Sequence, residues 1–124
     1  MHKTNNQDLP NEVWVPIRNY EHRYLISNFG RIKYLKTNNI LRHSIAKSGK
    51  HYIGLAGKEF KQTYRHGKLS VRQKIKRFDV GYLVAMAFKR VFHMNQKYVR
   101  YLDGNFDNLT PDNITWSETR AGKE

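Results

Sequence analysis

The sequence predicts an α+β fold: a small β module at the N-terminal end, then one helix, then a strand–loop–helix unit. Three observations predict it. Short β-prone runs separated by Asn, Ser and Gly turns fill residues 11–57. Leu83, Val84, Ala87, Phe88 and Val91 recur at helical spacing. Residues 98–116, YVRYLDGNFDNLTPDNITW, begin β-branched and aromatic, break at Asp103-Gly104-Asn105 and reach a helix-start signal at Thr110-Pro111-Asp112.

Residues 1–10 read as a flexible lead-in without the apolar core of a signal peptide. In 11–57, the runs Val13-Trp14-Val15 and Tyr24-Leu25-Ile26 are strands, Ser27-Asn28-Phe29-Gly30 a turn, and Arg31 to Leu35 alternates polar and apolar. Asn38-Asn39 makes a turn, Ile40-Leu41 a short strand, Ser48-Gly49-Lys50 a turn, and His51 to Leu55 a strand. Trp14, Tyr20 and Tyr24 suit a small core better than a base-stacking platform. Residues 58–77 form an extended basic hairpin or loop, with His66-Gly67-Lys68 as the turn between two arms. Residues 78–120 hold the helix and the closing unit. No internal repeat is visible.

Composition narrows the function. The 124 residues carry 23 Lys plus Arg against 10 Asp plus Glu, a net charge of +13. Between His22 and Phe78 the only acid is Glu59, against 15 Lys or Arg. A field of one sign resists compaction and attracts polyanions. The cations are interleaved with Gly, His and Tyr rather than set on an amphipathic helix, which points to nucleic acid and away from a membrane surface. No apolar run is long enough to cross a bilayer. The absence of Cys excludes a disulfide framework and thiolate zinc sites.

The candidate phosphate contacts follow the charge. Arg31, Lys33 and Lys36 belong to the first strands; Arg42, Lys47, Lys50 and His51 flank a groove along the sheet. Lys61, Arg65, Lys68, Arg72, Lys74, Lys76 and Arg77 lie along the hairpin, and Arg100 lies on the later strand. A two-stranded ribbon of this kind can enter a major groove. A basic β-surface suits DNA or RNA, and no aromatic RNA-recognition motif decides between them.

The closing unit resembles the HNH endonucleases of the homing type, whose core runs roughly D-H-x-D-G-N-x-x-N-N-x-x-x-N-L-x-W. Asp103, Gly104, Asn105, Asn108, Asn113 and Trp116 match without gaps, with Ile114 for the Leu. Tyr82 to Phe88 resembles the H-R-L-V-A-x-A-F helix that precedes that core. Glu12, Trp14, Ile17, Tyr20, Glu21, Tyr24, Ser27, Asn28, Gly30 and Arg31 match a module often found ahead of it, which helps hold DNA in that family. The resemblance covers roughly residues 11–118 and implies a ββα core. It also implies a phage or mobile-element setting, hence the cytoplasm of a bacterial or phage-infected host.

The catalytic positions depart from the family. The Asp-His pair, metal ligand and general base, falls on Arg100 and Tyr101. The last metal ligand falls on Gly122, and the His opening the upstream helix on Gly81; only Asn113 remains. A cation opposes a divalent ion, and Tyr, with a pKa of about 10, is a poor base for water. The expectation is therefore a nucleic-acid-binding protein on a degenerate nuclease scaffold, binding DNA rather than RNA and needing no cofactor. One alternative is an active nicking enzyme, using Mg²⁺ or Mn²⁺ with relocated residues drawn from His93, Asp103 and Asp107. Another is an assembly subunit of a polymerase or ribonucleoprotein complex.

Overall fold

The computed structural model describes residues 7–89 and 98–117. Its first sheet is a four-stranded antiparallel meander: β1 (Trp14–Pro16), β2 (Tyr24–Ser27), β3 (Ile32–Tyr34) and β4 (Asn39–Leu41), in that order. Each reversal sits where turn chemistry permits it: Asn19 and Asn38 take positive φ of 72° and 61°, and Gly30 takes 80°. Asn39, expected in the turn, already belongs to β4.

A second sheet follows, β5 (Ser44–Ile45), β6 (His51–Arg65) and β7 (Lys68–Asp79). The hairpin expected around His66-Gly67 is present, and β6 runs unbroken from the apolar His51–Leu55 stretch to its tip. Arg65 pairs with Lys68, so the connection is the two residues His66 and Gly67, with φ of 53° and 74°. Two consecutive positive φ values match the right-handed twist of the strands they join. A register shift between Ala56 and Phe60 separates a half that packs from a half that projects.

Helix α1 (Val80–Phe88) begins where β7 ends, capped by Asp79, whose Oδ1 accepts from Gly81 N at 2.8 Å. It packs against β2, β6, β7 and a third sheet, β8 (Tyr98–Tyr101) paired with β9 (Ile114–Ser117). One core joins all three sheets. Ile26 and Ile32 come from the first, Ile53 and Leu55 from the second, Val80 and Val84 from the helix, and Val99, Leu109 and Ile114 from the closing unit.

The helix expected to start at Thr110 is a correction. Pro111–Asn113 form a single 3₁₀ turn, the Thr110 side chain makes no capping bond to it, and the chain re-enters a strand at Ile114. The Pro suited the turn, but Ile114-Thr115-Trp116 is β-branched and aromatic, and cross-strand pairing with β8 prevails over the start signal. The expected course of the chain beyond Ser117, together with His93 and Gly122, lies outside the described residues.

Leu55 is fully buried at the junction of the second sheet and the common core. Leu55→Ala should cost about 2–5 kcal/mol of stability in a urea melt, with the transition remaining cooperative.

Candidate nucleic-acid interface and family site

The projecting half of the β6–β7 ribbon has two unlike faces. Cross-strand partners share a face, and the register pairs Lys61 with Arg72, Thr63 with Ser70, and Arg65 with Lys68. Strand alternation adds Lys74 to that face. The opposite face pairs Phe60 with Gln73, Gln62 with Val71, and Tyr64 with Leu69. Its apolar members are well exposed, from 50% for Leu69 to 75% for Tyr64. Among the described residues the arm's one ion pair joins Lys74 to Glu59 at 3.6 Å.

The other expected contacts divide into exposed and internally engaged groups. Arg31 donates to Glu12 at 3.0 Å and to the Gln7 carbonyl at 3.2 Å, and its guanidinium stands 5.7 Å from the Trp14 ring. Lys33 is buried, its ammonium 4.4 Å from the same ring and 3.8 Å from Asp8. These two cations therefore tie the residues before β1 to the first sheet. Lys36, Arg42 and Lys47 are exposed, whereas the Lys50 ammonium lies 5.5 Å from the Phe106 ring. Lys76 pairs with Leu55 and covers Phe78, and Arg77 stacks over Tyr52 at 4.0 Å, so neither belongs to the projecting half. Tyr20 and Tyr24 behave as core aromatics, with Tyr20 meeting Phe78 edge-on at 5.8 Å, whereas half-buried Trp14 lies outside the core cluster, its Nε1 donating to Asp8.

The family positions form a separate corner. Arg100 is exposed on β8, paired with Thr115. Tyr101 is buried, and its hydroxyl donates to Asp79 Oδ1 at 2.9 Å. Burial, then the Asp79 charge and hydrogen bond, raise the phenol's pKa, so it stays protonated and acts as a donor. Gly81 makes this possible, because a Cβ there would collide with the Tyr101 hydroxyl. Tyr101 lies 22 positions from Asp79, and only the fold shows that it meets Asp79 and Gly81 in one contact.

Asn113 sits at the centre of the polar loop. Its Oδ1 accepts from Asp103 N and its Nδ2 donates to the Asn108 carbonyl, both at 2.9 Å. Its own carbonyl accepts from Leu102 N at 2.7 Å. Asp103 receives Asn108 Nδ2 and Asn105 N, bonds that hold its carboxyl below the usual range. Trp116 meets Tyr82 of α1 edge-on at 5.6 Å. A contact that sequence reasoning missed joins His51 to Asp107 at 2.7 Å and to His43 at 3.0 Å. Their separation of 56 positions left no local signal. Among the described residues no group of three or more His, Cys, Asp or Glu side chains gathers as a metal site would require.

Two substitutions test this corner. Gly81→Ala should destabilise the chain, and pairing it with Tyr101→Phe should recover part of the loss in a double-mutant cycle, because removing the hydroxyl relieves the clash. Asn113→Ala should lower stability by about 1–3 kcal/mol in thermal or denaturant melts, as its two loop contacts disappear.

Comparison with known proteins places these features in a family. The NUMOD4 motif matches residues 12–74, from Glu12 through most of the projecting arm. The DNA endonuclease I-HmuI of Bacillus phage SP01 is 34% identical over 111 residues, covering 90% of this chain and 55% of the relative. A solved structure described as DNA binding and cleavage by the HNH homing endonuclease I-HmuI superposes with a TM-score of 0.61 at 32% identity, covering 85% of this chain and 52% of that one. The chain spans about half the length of the relatives it matches. The ordered sheets, the helix leading to β8 and the Asn-rich loop thus have a common source: this chain belongs to the HNH homing endonuclease family and carries a NUMOD4 motif.

Proposed function

We propose that this chain binds DNA through the basic face of the β6–β7 arm, on a nuclease scaffold that does not perform hydrolysis. The observation that carries the binding half is the sorting of charge by face. Lys61 opposite Arg72, and Arg65 opposite Lys68, are like charges in register. Such pairs destabilise a free ribbon. A phosphate backbone turns that repulsion into attraction and releases counterions. The relatives are described as a DNA endonuclease and as binding DNA, which favours DNA over RNA as the polyanion.

The chemical half rests on the corner around Tyr101. A divalent ion needs hard oxygen ligands, and a hydrolytic base needs a pKa near the working pH. The corner offers a guanidinium at Arg100, a phenol committed to Asp79 and an amide whose two ends already bind the loop. These residues do not fit a catalytic metal. Asp103 accepts from Asn105 at one oxygen and from Asn108 at the other, bonds that tie it into its own loop.

A second reading draws on the arm's other face. Phe60, Tyr64, Leu69 and Val71 form an exposed apolar strip, as an assembly subunit would present to a protein. The two readings separate by face. Replacing Lys61, Arg65, Lys68 and Arg72 by Gln should flatten the slope of log K against log salt on duplex DNA by up to about 4 units, at roughly 0.9 per phosphate contact. Replacing Phe60 and Tyr64 by Ser should leave that slope unchanged. The reverse pattern would favour the assembly reading. Supercoiled plasmid should show no nicking above background with Mg²⁺ or Mn²⁺; nicking that His51→Ala or Asp103→Ala abolishes would restore a relocated active site.

A further inference from the structure

A groove leads from the root of the β6–β7 arm to an aromatic cleft beside α1. The cleft, of about 310 Å³, lies between the end of β1 with the residues after it and one side of the helix. Ile17, Leu83 and Ala87 give it apolar lining. Three half-buried rings border it: Phe78 and Tyr82 lie parallel to within 7°, centroids 6.4 Å apart, and Tyr20 meets Phe78 edge-on. Arg18 and Lys76, both exposed, add two cations. The basic face of the arm has no such rings, since its cations are interspersed only with Thr63 and Ser70.

A second hollow joins the two places. It shares Asn19, Tyr20 and Lys76 with the cleft and adds Lys58, Glu59 and Lys74. Glu59 and Lys74 in turn border the basic face of the arm. Four cations, Lys58, Lys74, Lys76 and Arg18, therefore line the way from the arm to the rings. The acids beside it have local partners: Glu59 meets Lys74 at 3.6 Å, and Glu21 accepts from Asn19 N at 3.1 Å. A basic track ending on aromatic side chains is how proteins hold single-stranded nucleic acid, because phosphates follow the charge and any base can stack on a ring. The cleft is at the small end of ligand sites, about 300–1,000 Å³, so it suits one planar ring system. An apolar side chain of a protein would use the rings and leave the cations unused. A nucleotide uses both.

We propose that this cleft holds one unpaired nucleotide, so that the chain recognises the junction between duplex and single-stranded DNA. The proposal rests on the arm reading above. The basic face grips the duplex phosphates, the departing strand crosses the hollow past Lys74, and an unpaired base stacks in the cleft against Tyr82. Lys76, 5.4 Å from the Phe78 ring, lies where it can neutralise that nucleotide's phosphate.

Gel-shift titrations of the full chain test this by comparing a blunt duplex with the same duplex carrying a short unpaired tail at a 5′ or a 3′ end. One of the tailed duplexes should bind about tenfold tighter than the blunt one, as one base–aromatic stack supplies. A tail made wholly of abasic nucleotides keeps its phosphates and should lose that gain. Tyr82→Leu, which alters no charge, should lower the ratio of tailed to blunt affinity severalfold. A tail containing 5-iodouracil gives a readout that needs no variant: irradiation with the unmodified chain and peptide mapping should place adducts on Tyr20, Phe78 or Tyr82. Equal affinity for blunt and tailed duplexes, a preference that survives the abasic tail or Tyr82→Leu, or adducts confined to residues 60–75 would overturn the cleft and leave the arm reading standing. Absence of binding to every duplex would overturn both.

Discussion

The β6–β7 ladder is the constraint on which the rest of the structure depends. It pairs residues from Tyr52 with Asp79 at one end to Arg65 with Lys68 at the other. At the inner end, Ile53 and Leu55 enter the common core, and the last residue of β7 caps the helix. At the outer end, the register alone sorts cations from apolar side chains. A shift of one strand by a single residue would mix the two faces and move Ile53 and Leu55 out of the core. The register shift between Ala56 and Phe60 joins the buried half to the exposed half, whose own pairing runs to the turn. The two-residue turn at His66 and Gly67 closes the ladder in a geometry compatible with its twist.

The corner at Tyr101 shows how one buried polar side chain organises its neighbours. A buried phenol requires space and an acceptor. Gly81 supplies the space, and Asp79 supplies the acceptor while also capping α1. Tyr101 therefore links β8 to the start of the helix, in addition to the apolar packing there. The neighbouring Asn-rich loop is held mainly by its own hydrogen bonds, with Asn113 joining its two ends. That loop does not depend on Tyr101 for its cohesion, because its bonds are made by Asn105, Asn108 and Asn113.

Much of the architecture was legible because its signals are local. Alternation marked the strands, helical spacing marked α1, and His66-Gly67 marked the hairpin tip. The reading failed at Thr110-Pro111-Asp112, where a good start signal opens only one 3₁₀ turn because pairing with β8 governs Ile114–Ser117. The charge count likewise could not distinguish roles among cations. Arg31 and Lys33 look like their neighbours in sequence, yet Glu12, Asp8 and Trp14 engage them. The His43–His51–Asp107 contact and the Gly81–Tyr101 fit depend on approaches between distant segments, which no spacing rule encodes.

The face that meets nucleic acid is the central claim, and the chain's lack of Cys permits a direct measurement. Thr63→Cys places one thiol on the basic face, and Gln62→Cys places one on the apolar face of the same strand. Each variant, carrying a short photo-crosslinker, is irradiated with duplex DNA at low salt. The account expects crosslinks from position 63 that fade as salt rises, and few from position 62. Equal crosslinking from both positions, or crosslinking confined to position 62, would contradict it.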